Sequence, residues 1–252
     1  MTARRDSAAV RSPYELGERI EQVVALHARR RPDAIAVQQG ECRLTYRALT
    51  RRALDLASAL AADGVRPGAF VPTLIERSPE LVVALLGIMH AGAAYVAMDP
   101  AWPRGRIEDV VSRSGGEHVL TDGRRVGGPD VRSLTLAELG GQASSAAARV
   151  PSRGDGREAA CVFFTSGSTG RPKGVISPHR GTIRQLVNCP TIPLDESTCV
   201  LQEAPLPWDG LSLELWAPLL NGGRSVLLDR ELGVLDVAAC ATRSTAGSTR
   251  CG

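Results

Sequence analysis

Residues 81–98 are almost wholly apolar, and that run limits the fold more than any other part of the sequence. It is long enough to span a bilayer. His90, Gly92 and the small residues at 91–94 divide it, which argues against a span. Ser78 and Pro79 suit the N-cap and first position of a helix, and Gly92 suits its close. Residues 95–98 then form a short buried strand. A helix and a strand in immediate succession, both apolar, belong to the interior of an α/β protein.

The flanking sequence continues the alternation. A helix is predicted over 14–30, with Ile20, Val23, Val24 and His27 on one face. His27 there suits core packing, and Arg29, Arg30 and Arg31 suit a solvated helix end before Pro32. Residues 34–37 and 42–44 flank a hairpin turn at 38–41. A second helix follows Thr45, striped by Tyr46, Leu49, Ala53, Leu56 and Leu60, and Gly64 caps it. Strand 69–75, helix 79–91, strand 95–98, helix 103–113 and strand 117–121 come next. Past a break, strand 159–164, strand 174–177, helix 178–188, strand 198–203, helix 210–220 and strand 225–229 complete the series. Alternating elements of this kind predict parallel β in a layered αβα fold.

This rhythm divides the chain into a leader (1–13), a first α/β lobe (14–121), a surface excursion (122–157), a second α/β lobe (158–231) and an irregular tail (232–252). Gly, Ser, Ala and Arg dominate the excursion, apart from a short apolar run at 134–139.

Charge and composition exclude several classes. The formal net charge is +3 and only nine residues are aromatic, three each of Trp, Tyr and Phe. Neither a basic nucleic-acid stripe nor a base-stacking platform is predicted, nor a polybasic membrane patch. No Cys-x-x-Cys pair occurs among the six cysteines, and the four histidines are scattered, so no zinc spacing is present. The first 21 residues lack the apolar core of a signal peptide, which predicts a cytoplasmic protein with reduced thiols. Cys189 is predicted to be inert for want of any neighbour that lowers its pKa.

The segment most informative about chemistry is Phe163-Phe164-Thr165-Ser166-Gly167-Ser168-Thr169-Gly170-Arg171-Pro172-Lys173-Gly174. An apolar strand feeds a run of hydroxyls and glycines. Gly167, Gly170 and Gly174 permit positive φ and close backbone approach. Successive N–H groups can then curl around an anion, while Thr165, Ser166, Ser168 and Thr169 offer hydroxyls. Lys173, the only lysine among 30 basic residues, adds a point charge suited to phosphate. The spacing is not that of a Walker A loop. A flexible Gly/Ser connector is the plain alternative, but connectors seldom sit directly between two apolar strands. A nucleotide triphosphate or pyrophosphate is the predicted ligand of Thr165, Ser166, Gly167, Ser168, Thr169, Gly170 and Lys173.

Residues 165–174 also resemble the phosphate-loop signature of AMP-forming adenylating enzymes, the superfamily of acyl-CoA synthetases, luciferases and nonribosomal peptide synthetase adenylation domains. Other segments agree in order. Leu44-Thr45-Tyr46-Arg47-Ala48-Leu49 is similar to that family's first core motif. Residues 90–100 are similar to its second, with His90 where Lys is usual, and Trp102-Pro103 and Arg106 continue the pattern. Trp208-Asp209-Gly210-Leu211-Ser212-Leu213-Glu214-Leu215-Trp216 resembles the fourth motif of the amino-acid-activating branch, usually begun by Phe-Asp. The resemblance implies that Asp209 pairs with the substrate's α-ammonium group, with Trp208, Gly210 and Leu213 beside it. An ammonium leaving water needs a carboxylate close by. Read locally, Asp209 equally suits the N-cap of helix 210–220. Glu214 suits a polar helix position, Trp216 core packing, and His179 and Arg180 the start of helix 178–188.

The resemblance spans about residues 14–232 and implies the large N-terminal domain of the family, cut before its barrel and small C-terminal domain. It implies ATP with Mg, whose ligand falls in the later half. It further implies an amino-acid substrate and transfer of the acyl-adenylate to a phosphopantetheine thiol on a carrier protein. The family's later motifs and its C-terminal catalytic lysine are absent from these 252 residues. A non-catalytic remnant, a nucleotide-binding fragment or an acyl-CoA synthetase fragment are the competing expectations. No complete catalytic set is predicted.

Overall fold

In the computed structural model the described residues are 18–142, 154–165, 173–189 and 191–228. The leader, the tail and residues 166–172 lie outside them. The chain begins with α1 (Ile20–Arg30), the hairpin β1 (Ile35–Gln39) and β2 (Cys42–Thr45), and α2 (Tyr46–Ala62). It continues through β3 (Phe70–Leu74), α3 (Pro79–His90), β4 (Ala94–Ala97), α4 (Arg104–Ser114) and β5 (His118–Thr121). After these come β6 (Arg132–Thr135), α5 (Leu136–Gln142), β7 (Ala159–Thr165) and β8 (Lys173–Pro178). The described part closes with α6 (His179–Leu186), β9 (Cys199–Gln202), α7 (Gly210–Leu220) and β10 (Arg224–Leu227).

Local chemistry sets these boundaries. Thr45 caps α2 by accepting from the Ala48 N–H, and Ser78 caps α3 by accepting from Leu81, with Pro79 in the first turn. Gly92 takes φ +79°, which lets the chain leave α3 and enter β4 at once. α1 begins at Ile20, later than the predicted Tyr14. Glu18 and Arg19 are bends. Arg19 is drawn inward, 1% exposed, by ion pairs with Glu21 and Glu158.

Two sheets result. One has the order β6-β5-β3-β4-β7-β8 and the other β2-β1-β10-β9. Most pairs are parallel, as predicted; β1–β2 is antiparallel, as the predicted hairpin requires, and β7–β8 is antiparallel as well. The cause is connection length. Gly40-Glu41 joins the first pair and seven residues join the second, whereas a parallel crossover needs about a dozen.

The sheets do not follow the predicted division into lobes. β1 from the first lobe pairs with β10 from the second, and β4 pairs with β7. Part of the predicted excursion is also integral, since β6 pairs with β5 and buries Leu134, and α5 buries Leu139. Four-residue strands such as β6 carry too little periodicity to stand out in sequence.

α3 packs against β1 of one sheet and against β3 and β4 of the other, so apolar side chains on every face are required of it. It also lies tight on α2, where a Cβ at Gly87 would come 2.8 Å from Leu56 Cδ2. On the opposite face of the six-stranded sheet, α4 covers Leu74, Val96, Met98 and Val119 with Ile107, Val110 and Val111. No helix among the described residues is long and apolar enough to cross a membrane.

Candidate functional site

In open α/β sheets ligands gather beyond the carboxyl ends of the strands. Thr165 and Lys173, which bound the first segment singled out in the sequence, lie there, as does Asp209 of the second. β7 ends at Thr165, directly opposite Lys173, the first residue of β8. Lys173 is exposed. Ser166, Gly167, Ser168, Thr169 and Gly170 lie outside the described residues, which end on each side of them at this pair. Gly174 has ordinary strand geometry, not the positive φ considered above. A Cβ there would stand 3.1 Å from Val162 Cγ1 and 3.4 Å from Phe164 Cζ, so glycine clears room for those two side chains. Beside them, a cleft of about 550 Å³ runs between β8 and the end of α4, bordered by Lys173, Arg113, Phe164 and the half-exposed Ile176.

Asp209 follows the carboxyl end of β9. It is exposed, and its carboxylate does not cap α7. The reason is backbone winding. Trp208 N–H already donates to Pro205 O at 3.0 Å and Ser212 N–H to Asp209 O at 2.9 Å. Asp209 itself has helical dihedrals, φ −62° and ψ −24°, unlike the extended geometry of a capping residue. The local N-cap alternative is thus not realised. Trp208 (64% exposed) and Leu213 (48% exposed) flank Asp209 at the surface, whereas Gly210 is half-buried against Ala204.

Trp216 is core, as predicted, and its Nε1 donates to Tyr95 Oη at 3.0 Å. That bond ties α7 to β4 of the larger sheet. Burial pushes the Cys161 thiol up to about 11 and the Tyr95 hydroxyl well above its ordinary value, so both stay protonated at neutral pH. His27 is also core, with Nε2 2.9 Å from Leu220 O. His179 begins α6 and is fully buried, and desolvation lowers its pKa to about 4. His90 is likewise buried and lowered by desolvation. It therefore does not reproduce the cation that the resemblance puts at this position. Cys189 differs from expectation, because the Thr191 hydroxyl holds its pKa below the usual thiol value.

In sequence Arg77 carries no signal of a role here, and Glu214 reads only as a polar helix position. Glu214 Oε2 accepts from the backbone N–H groups of Glu203 and Ala204 at 2.8 and 2.7 Å. From the other side, Arg77 Nη2 donates to Ala204 O at 2.5 Å. Glu214 is the single charge in an otherwise apolar α7, a signal that could have marked it.

A family model described as AMP-binding enzyme matches residues 24–245. The chain belongs to that family. Malpibaldin synthetase of Mortierella alpina is 39% identical over an alignment of 233 residues that covers 88% of this chain and 4% of that protein. The N-terminal subdomain of Klebsiella oxytoca NpsA, solved in complex with 3-hydroxybenzoyl-AMSN, gives a TM-score of 0.80 at 29% identity. That match covers 88% of this chain and 56% of the subdomain. NpsA-ThdA, an artificially fused adenylation–PCP di-domain NRPS from Klebsiella oxytoca, gives 0.80 at 28% identity, over 90% of this chain and 45% of the fusion. The fold is thus that of the N-terminal subdomain of a nonribosomal peptide synthetase adenylation domain. The chain spans about 4% of Malpibaldin synthetase and about half of the solved subdomain.

Proposed function

We propose that this chain supplies the phosphate-gripping and amine-binding elements for AMP-forming activation of an amino acid with ATP, in the cytoplasm. In that reaction a carboxylate oxygen bonds to the α-phosphorus while the bond to the bridging oxygen breaks and pyrophosphate leaves. The hydroxyls and amides of residues 165–170, with Lys173, would stabilise the charge on the departing pyrophosphate. Asp209 would hold the α-ammonium, with Trp208, Gly210 and Leu213 beside it. The aminoacyl-adenylate would then pass to a phosphopantetheine thiol on a carrier protein, as the adenylation–PCP arrangement of NpsA-ThdA suggests.

The observation that carries this reading is the uncapped, exposed carboxylate of Asp209 beyond β9, in a family member whose phosphate-loop sequence follows β7. An acid without an ammonium needs no carboxylate there, which favours amino-acid activation over acyl-CoA synthesis. Magnesium would travel with the triphosphate. Among the described residues no three His, Cys, Asp or Glu side chains gather to hold a metal, and no step here runs through one.

These 252 residues contain one lysine, Lys173. The C-terminal catalytic lysine implied by the resemblance would have to come from outside them. We therefore assign binding, and not the whole reaction, to the isolated polypeptide. ATP–pyrophosphate exchange across all amino acids tests this. The expected result is ATP binding without robust exchange, and robust exchange by the 252 residues alone would overturn it. In a complete adenylation unit containing this segment, exchange should depend on the amino acid and fail with its deaminated analogue. Equal exchange with both would remove Asp209 from its role.

A further inference from the structure

We infer that Arg77 and Glu214 are positioning residues that together clamp the β9–α7 loop and so fix where Asp209 stands relative to the six-stranded sheet. This rests on the amine-binding role proposed for Asp209.

The clamp grips one short piece of backbone from two sides. Glu214 takes the N–H groups of Glu203 and Ala204 on a single carboxylate oxygen, and Arg77 takes the carbonyl of Ala204. A second carbonyl, that of Glu203, lies 3.5 Å from the same guanidinium nitrogen. Hydrogen bonds to charged groups are the stronger kind, so the loop is held more firmly than neutral partners would hold it. The two clamp residues come from different parts of the fold. Arg77 leaves the carboxyl end of β3 in the larger sheet, and Glu214 sits on α7 beside the smaller one.

Movement at Ala204 would pass directly to Asp209. Pro205 O accepts from Trp208 N–H, Trp208 O from Leu211 and Asp209 O from Ser212, so the turn runs without slack into α7. Gly210 completes the fit. A Cβ there would stand 3.0 Å from Ala204 Cβ, so any larger residue would push the loop a few tenths of an ångström from the helix start. Gly210 and Glu214 are four residues apart and share one helix face, so the carboxylate reaches the same loop residue that Gly210 admits. Gly210 thus acts by close approach as well as by its place beside Asp209.

The test uses the 252-residue chain and the variants Glu214→Ala, Glu214→Gln, Arg77→Ala and Asp209→Asn. The first readout is amide hydrogen exchange at Glu203 and Ala204. Glu214→Ala should raise both rates roughly tenfold or more, and Glu214→Gln, which keeps an acceptor oxygen, should restore part of the protection. The second readout is binding of a panel of aminoacyl-sulfamoyl-adenosines, each paired with its deaminated acyl counterpart, with ATP affinity measured alongside. Glu214→Ala and Arg77→Ala should shrink the preference for the ammonium-bearing member and leave ATP affinity unchanged, a split that general unfolding would not give. Unchanged exchange rates in Glu214→Ala overturn the clamp. So does an unchanged preference in both clamp variants when Asp209→Asn abolishes it. If Asp209→Asn itself leaves the preference intact, or the chain prefers neither member of any pair, the amine-binding reading fails and the positioning role falls with it, whatever the exchange rates show.

Discussion

The indole Nε1 of Trp216 donates to the hydroxyl oxygen of Tyr95 at 3.0 Å, with both rings fully buried and tilted 46° to one another. This bond is a polar tie between α7 and the central strand β4. Tyr95→Phe removes the acceptor and leaves the Trp216 N–H buried without it. Destabilisation of about 1–3 kcal/mol is expected in urea unfolding. A loss below a few tenths of a kcal/mol would mean that the tie is energetically idle.

Acid should loosen the fold through its buried histidines. Desolvation holds His179 at about 4 in the folded chain, and lowers His27 and His90 as well. An unfolded histidine titrates near 6.5. Between those values the unfolded chain binds protons that the folded chain refuses, so stability falls as pH drops from about 7 towards 4. His179 alone accounts for roughly 3 kcal/mol over that window. Unfolding free energies measured across the window should decline, and His179→Gln should flatten the decline. A flat wild-type profile would contradict the burial assigned to these rings.

The contact between α2 and α3 leaves no room for a methyl group. Gly87→Ala would drive a Cβ to within 2.8 Å of Leu56 Cδ2, and overpacking of this kind costs about 1–3 kcal/mol. In a double-mutant cycle, Leu56→Ala should cost less in the Gly87→Ala background than in the wild type, because the smaller side chain relieves the clash. Strict additivity would show that the helices separate freely.

Much of this fold was legible from sequence because its strongest signals are local. Ser78-Pro79 and Gly92 bracket α3 as predicted, Thr45 opens α2, and α7 has the predicted bounds. What escaped was long-range pairing. Nothing near residues 35–39 indicates that β1 will join β10, and nothing in 132–135 distinguishes β6 from a loop until β5 lies beside it. The antiparallel turn at β7–β8 was readable in principle from the seven-residue connection, but the alternation of elements favoured parallel pairing. At the site, residue types revealed Lys173 and Asp209 as candidates. The Arg77–Glu214 clamp depends on backbone groups of residues 203–204, whose direction no side-chain pattern encodes.

The phosphate-gripping role proposed for residues 165–174 is tested most directly by an ATP titration followed by amide chemical shifts. Wild-type chain should show saturable shifts at residues 165–174, and Lys173→Ala should weaken affinity roughly tenfold or more, as expected for loss of a charge-assisted phosphate contact. ATP-induced shifts confined to other residues, or affinity unaltered in Lys173→Ala, would contradict it.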